Sequence, residues 1–298
     1  MGKCYIIEKT IHRAAEGMLI REFAAKNLSI SKTLLTDVKF KGGRILVNGS
    51  EENVRYRLKE GDVLTIELPP EERSPSMPAE PIDVPIVYED DELLVVDKPA
   101  GIPTIPSREH PGGTLANAVL AYYDKTGVPG TFHAVNRLDR DTSGLLIIAK
   151  NRYVHHLFSL QQRKHLIKRT YTAIAEGRVN PECGVIDAPI GRKGDSIIER
   201  EVRTDGQRAV THYEVDSIHG HLSVLKLKLE TGRTHQIRVH LADIGHPLAG
   251  DDLYGGSRAG INRQALHSSA LVFYHPIEQR MYSFRSGMPE DMRQLLDK

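Results

Sequence analysis

Along the first seventy residues, apolar positions recur at helical spacing and then switch to alternation. In "MLIREFAAKNL", Leu19 and Ile20 stand against Phe23 and Ala24 at three- and four-residue intervals. "SKTLLTDVKF" follows, with Ser31 placed to cap a second helix. Gly42-Gly43 ends that helix, "RILVNG" reads as a short strand closed by the Asn48-Gly49 turn, and "GDVLTIEL" alternates from a turn at Gly61-Asp62. The result is a small αα-ββ module. The pattern breaks at "PPEERSPSMPAEPIDVP", Pro69 to Pro85, where repeated prolines forbid helix, remove backbone donors and leave an extended linker. We divide the chain into a small domain over residues 1–75, with an N-terminal extension, a Pro-rich linker over 76–85, and a large domain over 86–298.

In the large domain short strand patterns dominate. "IVYEDDELLVVDKPAG" is two apolar runs about an acidic turn, "TLANAVLAYYDKTG" is an amphipathic helix, and "GLLIIAK" is a buried strand. "NRYVHHLFSLQQ" sets Val154, Leu157, Phe158 and Gln161 at helical spacing behind an Asn151 cap. "RTYTAIAEG", "AVTHYEVDSI" and "HLSVLKLKLETG" are strand candidates, the last alternating through Leu225, Leu227 and Leu229. These elements predict an α+β fold built on a mixed, mainly antiparallel sheet. No internal repeat is present.

Composition narrows the function classes. A chain of 298 residues that is 40% hydrophobic can bury a sizeable core. Cys4 and Cys183 are far apart and form no CxxC pair, which argues against structural zinc and a disulfide framework and suits a reducing compartment. "MGKCYIIEKTIHR" lacks the apolar stretch of a signal peptide and has Ile6 where a myristoylation signal has Ser or Thr. No run of eighteen apolar residues exists, so we expect a cytoplasmic protein without a membrane partner. The formal net charge is only +1, so an anionic partner must be met by local patches. Lys32 and Lys39, seven residues apart on one helix face, with Lys41 and Arg44 beyond, could be such a patch or an ordinary solvated face.

Two charged stretches carry candidate chemistry. "VNRLDRDTSGLLIIAK" sets Arg137, Asp139, Arg140 and Asp141 before an apolar run: either a solvated turn, or a carboxylate held at a cleft rim by the strand behind it. "TGRTHQIRVHLADIGHPLAGDDLYGG" gives a helix capped by Thr234, with Ile237, Leu241 and Ile244 on one face and His235, Arg238 and Ala242 on the next. His235 and His240 stand roughly 140° apart around a helix, and zinc-hydrolase, P-loop and dinucleotide-loop spacings are absent. Together with His246 they read as ordinary hydrogen-bonding histidines, and no metal site is expected. An arginine facing a partly desolvated carboxylate would keep it ionised and oriented. In "QQRKHLIKRTY", Tyr171 beside Lys168 and Arg169 suits a nucleobase and its phosphate, though a lone strand tyrosine is commonly just packing.

The first module, "LSISKTLLTDVKFKGGRILVNG" leading to "YRLKEGDVLTI", resembles the S4 RNA-binding domain over about residues 17–68. "NRLDRDTSGLLIIAK", with "DKPAG", "RTYTAIAEG" and "TGRTHQIRVHLADIGHPLAGDDLYG" in order, resembles the RluA-type RNA pseudouridine synthases over about residues 86–285. The match departs at Asn136, where that family has His. The resemblance implies isomerisation of uridine in structured RNA: the C1′–N1 bond breaks, the base turns, and C1′ joins C5, with no cofactor. It gives catalytic roles to Asp139, Tyr171 and Arg238. It further implies that Arg137 fills the space of a flipped uridine and that Lys98, Arg169, Arg233 and His235 contact pocket or RNA. Lys32, Lys39 and Arg44 would form an RNA edge of the S4-like module. The expected partner is RNA, large-subunit ribosomal RNA before transfer RNA, and the expected state is a monomer. The alternatives are a catalytically silent RNA-binding or ribosome-assembly factor, and a nucleoside glycosidase, which would need a second carboxylate and an activated water.

Overall fold

The computed structural model describes residues 4–297. The Met1-Gly2 start considered above lies outside them. The fold is α+β and mainly antiparallel, as expected. Among the described residues the small module has helices Ile20–Lys26 and Lys32–Phe40 on a four-stranded sheet. Ser31 Oγ accepts from Leu34 N at 3.1 Å, fulfilling its capping role. A strand not anticipated in the sequence, Ile6–Thr10, pairs antiparallel with Val63–Glu67 and completes this sheet.

The large sheet runs in the order Cys183–Asp187, Val210–His219, Leu222–Leu229, Lys168–Glu176, Leu266–Tyr274, Ser143–Ala149, Leu93–Lys98, Ile86–Glu89. Met281–Arg285 adds beside Leu266–Tyr274, and His133–Ala134 beside Ser143–Ala149. Two of its strands are buried on both faces, which is why they read as unbroken apolar runs. Leu93, Val95, Leu145 and Ile147 face one side, where they share a continuous core with Phe158, Phe273 and the small module's Phe23, Leu34 and Val38. Leu94, Val96, Leu146 and Ile148 face the other, against helix Leu115–Thr126 and residues Ile237 and Leu241.

Ser143–Ala149 meets Leu266–Tyr274 in parallel at Ser143/His267 and Gly144/Ser268. Gly144 permits this approach. Its φ is +111°, and a Cβ there would lie 2.4 Å from Ser268 O and 2.6 Å from Ser268 N.

The proline-rich segment has the irregular backbone its composition imposes, but it is clasped onto the large domain. Glu71 takes His133 Nε2 at 2.5 Å and Arg152 N at 2.7 Å. Arg73 donates to Gly130 O at 3.0 Å, and Pro78 O accepts from Asn117 at 2.7 Å. Direct contacts between the modules reinforce it: Tyr153 Oη donates to Leu28 O at 2.8 Å, and Arg152 pairs with Asp37 at 2.6 Å. Among the described residues no helix is long and apolar enough to cross a membrane.

Gly144→Ala is expected to lower the unfolding free energy by about 3 kcal/mol or more; an unchanged urea midpoint would contradict the close approach. Buried His240 and His267 give a second expectation. Burial pushes both imidazoles below the usual histidine range, so the unfolded chain binds protons that the native state excludes. Stability should therefore fall as pH drops below about 6.5. Urea midpoints compared at neutral and mildly acidic pH check the sign.

Candidate active site

Asp139 lies in the turn that joins His133–Ala134 to the doubly buried strand Ser143–Ala149. Its carbonyl accepts from Thr142 N at 3.1 Å. The preceding residue is pinned by Thr104, whose hydroxyl donates to Leu138 O at 2.8 Å and accepts from Leu138 N at 3.2 Å. Asn136, buried, accepts from Ile147 N at 3.1 Å through Oδ1 and so ties the loop to the strand. An imidazole is not needed for that role.

Lys98 differs from its expected role. It is wholly buried, and its ammonium donates to Pro99 O, Ile102 O and Arg140 O at 2.8–2.9 Å. Burial pulls its pKa down to about 7 against the opposing charges of Asp141 and Asp139. It shapes the loop behind Asp139 and does not reach RNA, because three backbone carbonyls consume its donors.

Arg238 comes from helix Gln236–Asp243. Thr234 is not the cap expected of it: the helix starts after His235, which adopts φ +58°. Gln236 takes over the end of the helix, its Oε1 accepting from Arg233 N at 3.0 Å and from Thr231 Oγ1 at 2.8 Å. The buried Arg238 guanidinium donates through Nε and Nη2 to the two oxygens of Asp251, each at 2.7 Å. Nη1 remains for Asp139 Oδ2 at 3.5 Å. Asp251 is 1% exposed and Asp139 28%, so the first pair is the fixed one and the second opens to the cleft.

Tyr254 completes the cluster. Its ring lies 4.9 Å from the guanidinium carbon of Arg238, and its hydroxyl is 2.8 Å from His235 Nδ1. His235 Nε2 is 4.0 Å from Asp139 Oδ2. Burial depresses the His235 pKa despite that carboxylate, which leaves Arg238 as the cation beside Asp139 at neutral pH. Asp251 and Tyr254 were not singled out in the sequence. Their signal was the glycine-bracketed "GDDLYGG" that follows the helix after the segment "IGHPLA".

These groups open on a cleft of about 920 Å³ that brings together Asp139, Tyr171, Arg238, Arg137, Arg169, Arg233 and His235. Tyr171 is 4% exposed and sits in strand Lys168–Glu176. With Arg140, Arg163 and Lys168, the cleft wall carries seven Lys or Arg against the carboxylates Asp139 and Glu230, so a nearly neutral chain concentrates positive charge here. Arg140 pairs with its neighbour Asp141 at 2.9 Å, half exposed, as an ordinary turn would. Lys32 and Lys39 are exposed on the small module, outside the cleft. Arg44, grouped with them from sequence, is instead forked onto Glu67 at 2.7 and 3.0 Å, which neutralises its charge. His240 and His246 bond Thr211, Ala188 O and Glu176 O, each at 2.8–2.9 Å.

Residues 92–243 match the family model described as RNA pseudouridylate synthase. The chain is 50% identical to the RNA pseudouridine synthase YjbO of Bacillus subtilis, covering 94% of this chain and 98% of that one. It is 37% identical to ribosomal large subunit pseudouridine synthase D of Yersinia pestis, covering 85% and 82%. The fold matches that of human RNA pseudouridylate synthase domain containing 4, with a TM-score of 0.59 and 21% identity over 72% of this chain and 92% of that one. A carboxylate and its buried arginine partner, in a cation-lined cleft on this fold, agree with those likenesses: the chain belongs to the RluA-type RNA pseudouridine synthases.

Proposed function

We propose that this enzyme isomerises a uridine in large-subunit ribosomal RNA, with Asp139 as its catalytic carboxylate. The observation that carries the role is the geometry of Asp139: a partly exposed carboxylate, 3.5 Å from a buried arginine, opening into the same cleft as Tyr171. The reaction breaks C1′–N1 and forms C1′–C5, so positive character develops at C1′ while the detached uracil must stay captive. An ionised carboxylate answers that charge, whether by attack at C1′ or by promoting a glycal. Tyr171 packs on the base and assists loss of the C5 proton, which balances the proton gained at N1.

Getting the uridine into the cleft requires it to leave its stack, at a cost of a few kcal/mol. Phosphate contacts to Arg169 and Arg233 offset this, and Arg137 occupies the space the uridine leaves. Arg233 is held in place by Arg208 O at 3.0 Å and Gln207 at 2.8 Å. Ribosomal RNA is favoured by the likeness to the Yersinia large-subunit enzyme. Residues 1–75 serve as the S4-like RNA-binding module, with Lys32 and Lys39 as its phosphate edge and residues 76–85 as the connector.

Pseudouridine mapping across total RNA with and without the protein identifies the substrate; a site in transfer RNA alone would replace the ribosomal reading. Asp139→Asn should abolish turnover and leave RNA affinity nearly unchanged. Retained turnover excludes the catalytic role of Asp139, and wild type that is inactive on every RNA favours a binding factor. Asp251→Asn should lower kcat more than it raises KM, because it frees Arg238 to turn from Asp139. Replacing Lys32 and Lys39 together by Gln should flatten the slope of log affinity against log salt by about 1.5; an unchanged slope would make that face ordinary solvated surface.

A further inference from the structure

Beyond Arg137 the cleft continues into a second recess of about 360 Å³. Ile105, Ala134 and Arg137 border both spaces, so the recess adjoins the cleft. The recess is lined by the apolar Met77, Pro106 and Phe132 together with the imidazoles of His133 and His155. The two imidazoles are stacked, with centroids 5.5 Å apart and 26° between planes. Glu71 grips His133 Nε2 at 2.5 Å, which fixes that ring in place. Burial and the neighbouring His133 hold His155 below the usual histidine range, so it meets a ligand at neutral pH as a flat, uncharged ring.

A small, largely apolar slot edged by aromatic nitrogen heterocycles matches a planar heterocycle better than a phosphate, a carboxylate or a helix. We propose that this recess receives a nucleobase flanking the target uridine in the same RNA, stacked against the imidazole pair, and so contributes to substrate choice. The proposal rests on the RNA-binding reading of the cleft. Arg137, exposed at the divide, then stands between the two nucleotides, in keeping with its filling the space the uridine leaves. The clasped proline-rich segment thereby gains a function, since Ser76 and Met77 line the slot and Glu71 holds the His133 imidazole.

The test uses the full-length protein and large-subunit ribosomal RNA transcribed with 4-thiouridine and 6-thioguanosine, irradiated and mapped by peptide mass spectrometry. Cross-links are expected on the peptides holding Met77, Phe132 or His155, as well as in the cleft. Ser76→Trp, which fills the slot from an exposed position, should remove those cross-links and lower kcat/KM on the unmodified RNA about tenfold, with an unchanged thermal midpoint. His155→Ala should lower kcat/KM in the same direction. Cross-links confined to the cleft, with Ser76→Trp as active as wild type, would overturn the proposal. An RNA that cross-links in the recess yet gains no pseudouridine supports the recess and overturns only the ribosomal reading of the reaction.

Discussion

One guanidinium shared between two carboxylates organises the cleft of this molecule. Asp251 takes two of the Arg238 donors side on, which fixes the plane of the group; the third then points in a direction set by Asp251 and not by Asp139. The arrangement is costly to disturb, since removing either buried partner leaves an uncompensated charge in a low-dielectric setting. The other contacts arrange themselves around it. Tyr254 lies against the guanidinium, orients His235 and receives Arg200 N at 3.0 Å, so the hairpin Ile190–Arg192 with Arg200–Val202 is tied to the same cluster.

Asp139 must be held equally well from its own side, and the means are hydrogen bonds to the loop backbone and burial. Thr104 and Asn136 fasten the loop on either side of Arg137, and the buried Lys98 draws three carbonyls inward beneath it. The strand that follows has no solvent face along which to slide. A one-residue shift in its register would exchange Leu145 and Ile147 for Leu146 and Ile148 between two different cores. Two segments a hundred residues apart thus meet with little freedom left to either.

Where local chemistry decides an element, reading the sequence succeeded. Ser31 and Asn151 cap their helices, and the unbroken runs "LLVV" and "GLLIIA" are doubly buried strands; that Arg238 lies beside Asp139 followed from the family resemblance and not from local chemistry. The misses share a different cause. Ile6–Thr10 is a strand only because Val63–Glu67 offers it an edge. His235, not Thr234, begins the helix because Gln236 folds back to satisfy its end. Lys98 lay in a motif that suggested a cation for RNA, yet whether an ammonium meets solvent or three carbonyls depends on loops brought in from residues 99–102 and 140. Asp251 was invisible as a partner since nothing short of the tertiary fold brings it under Arg238.

The single core shared by the small module and one face of the central sheet fixes the spacing between that module and the cleft. A module on a loose tether samples many separations from the cleft, and its phosphate contacts then add affinity without fixing register. Here Phe23 and Val38 belong to the same packed cluster as Leu145 and Phe273, and the connector between them is pinned along its length. The spacing from the Lys32 and Lys39 face to Asp139 is therefore a property of the fold, and on the proposed reading of that face as a phosphate edge the protein would act as a ruler, accepting an RNA by the distance at which it displays its features.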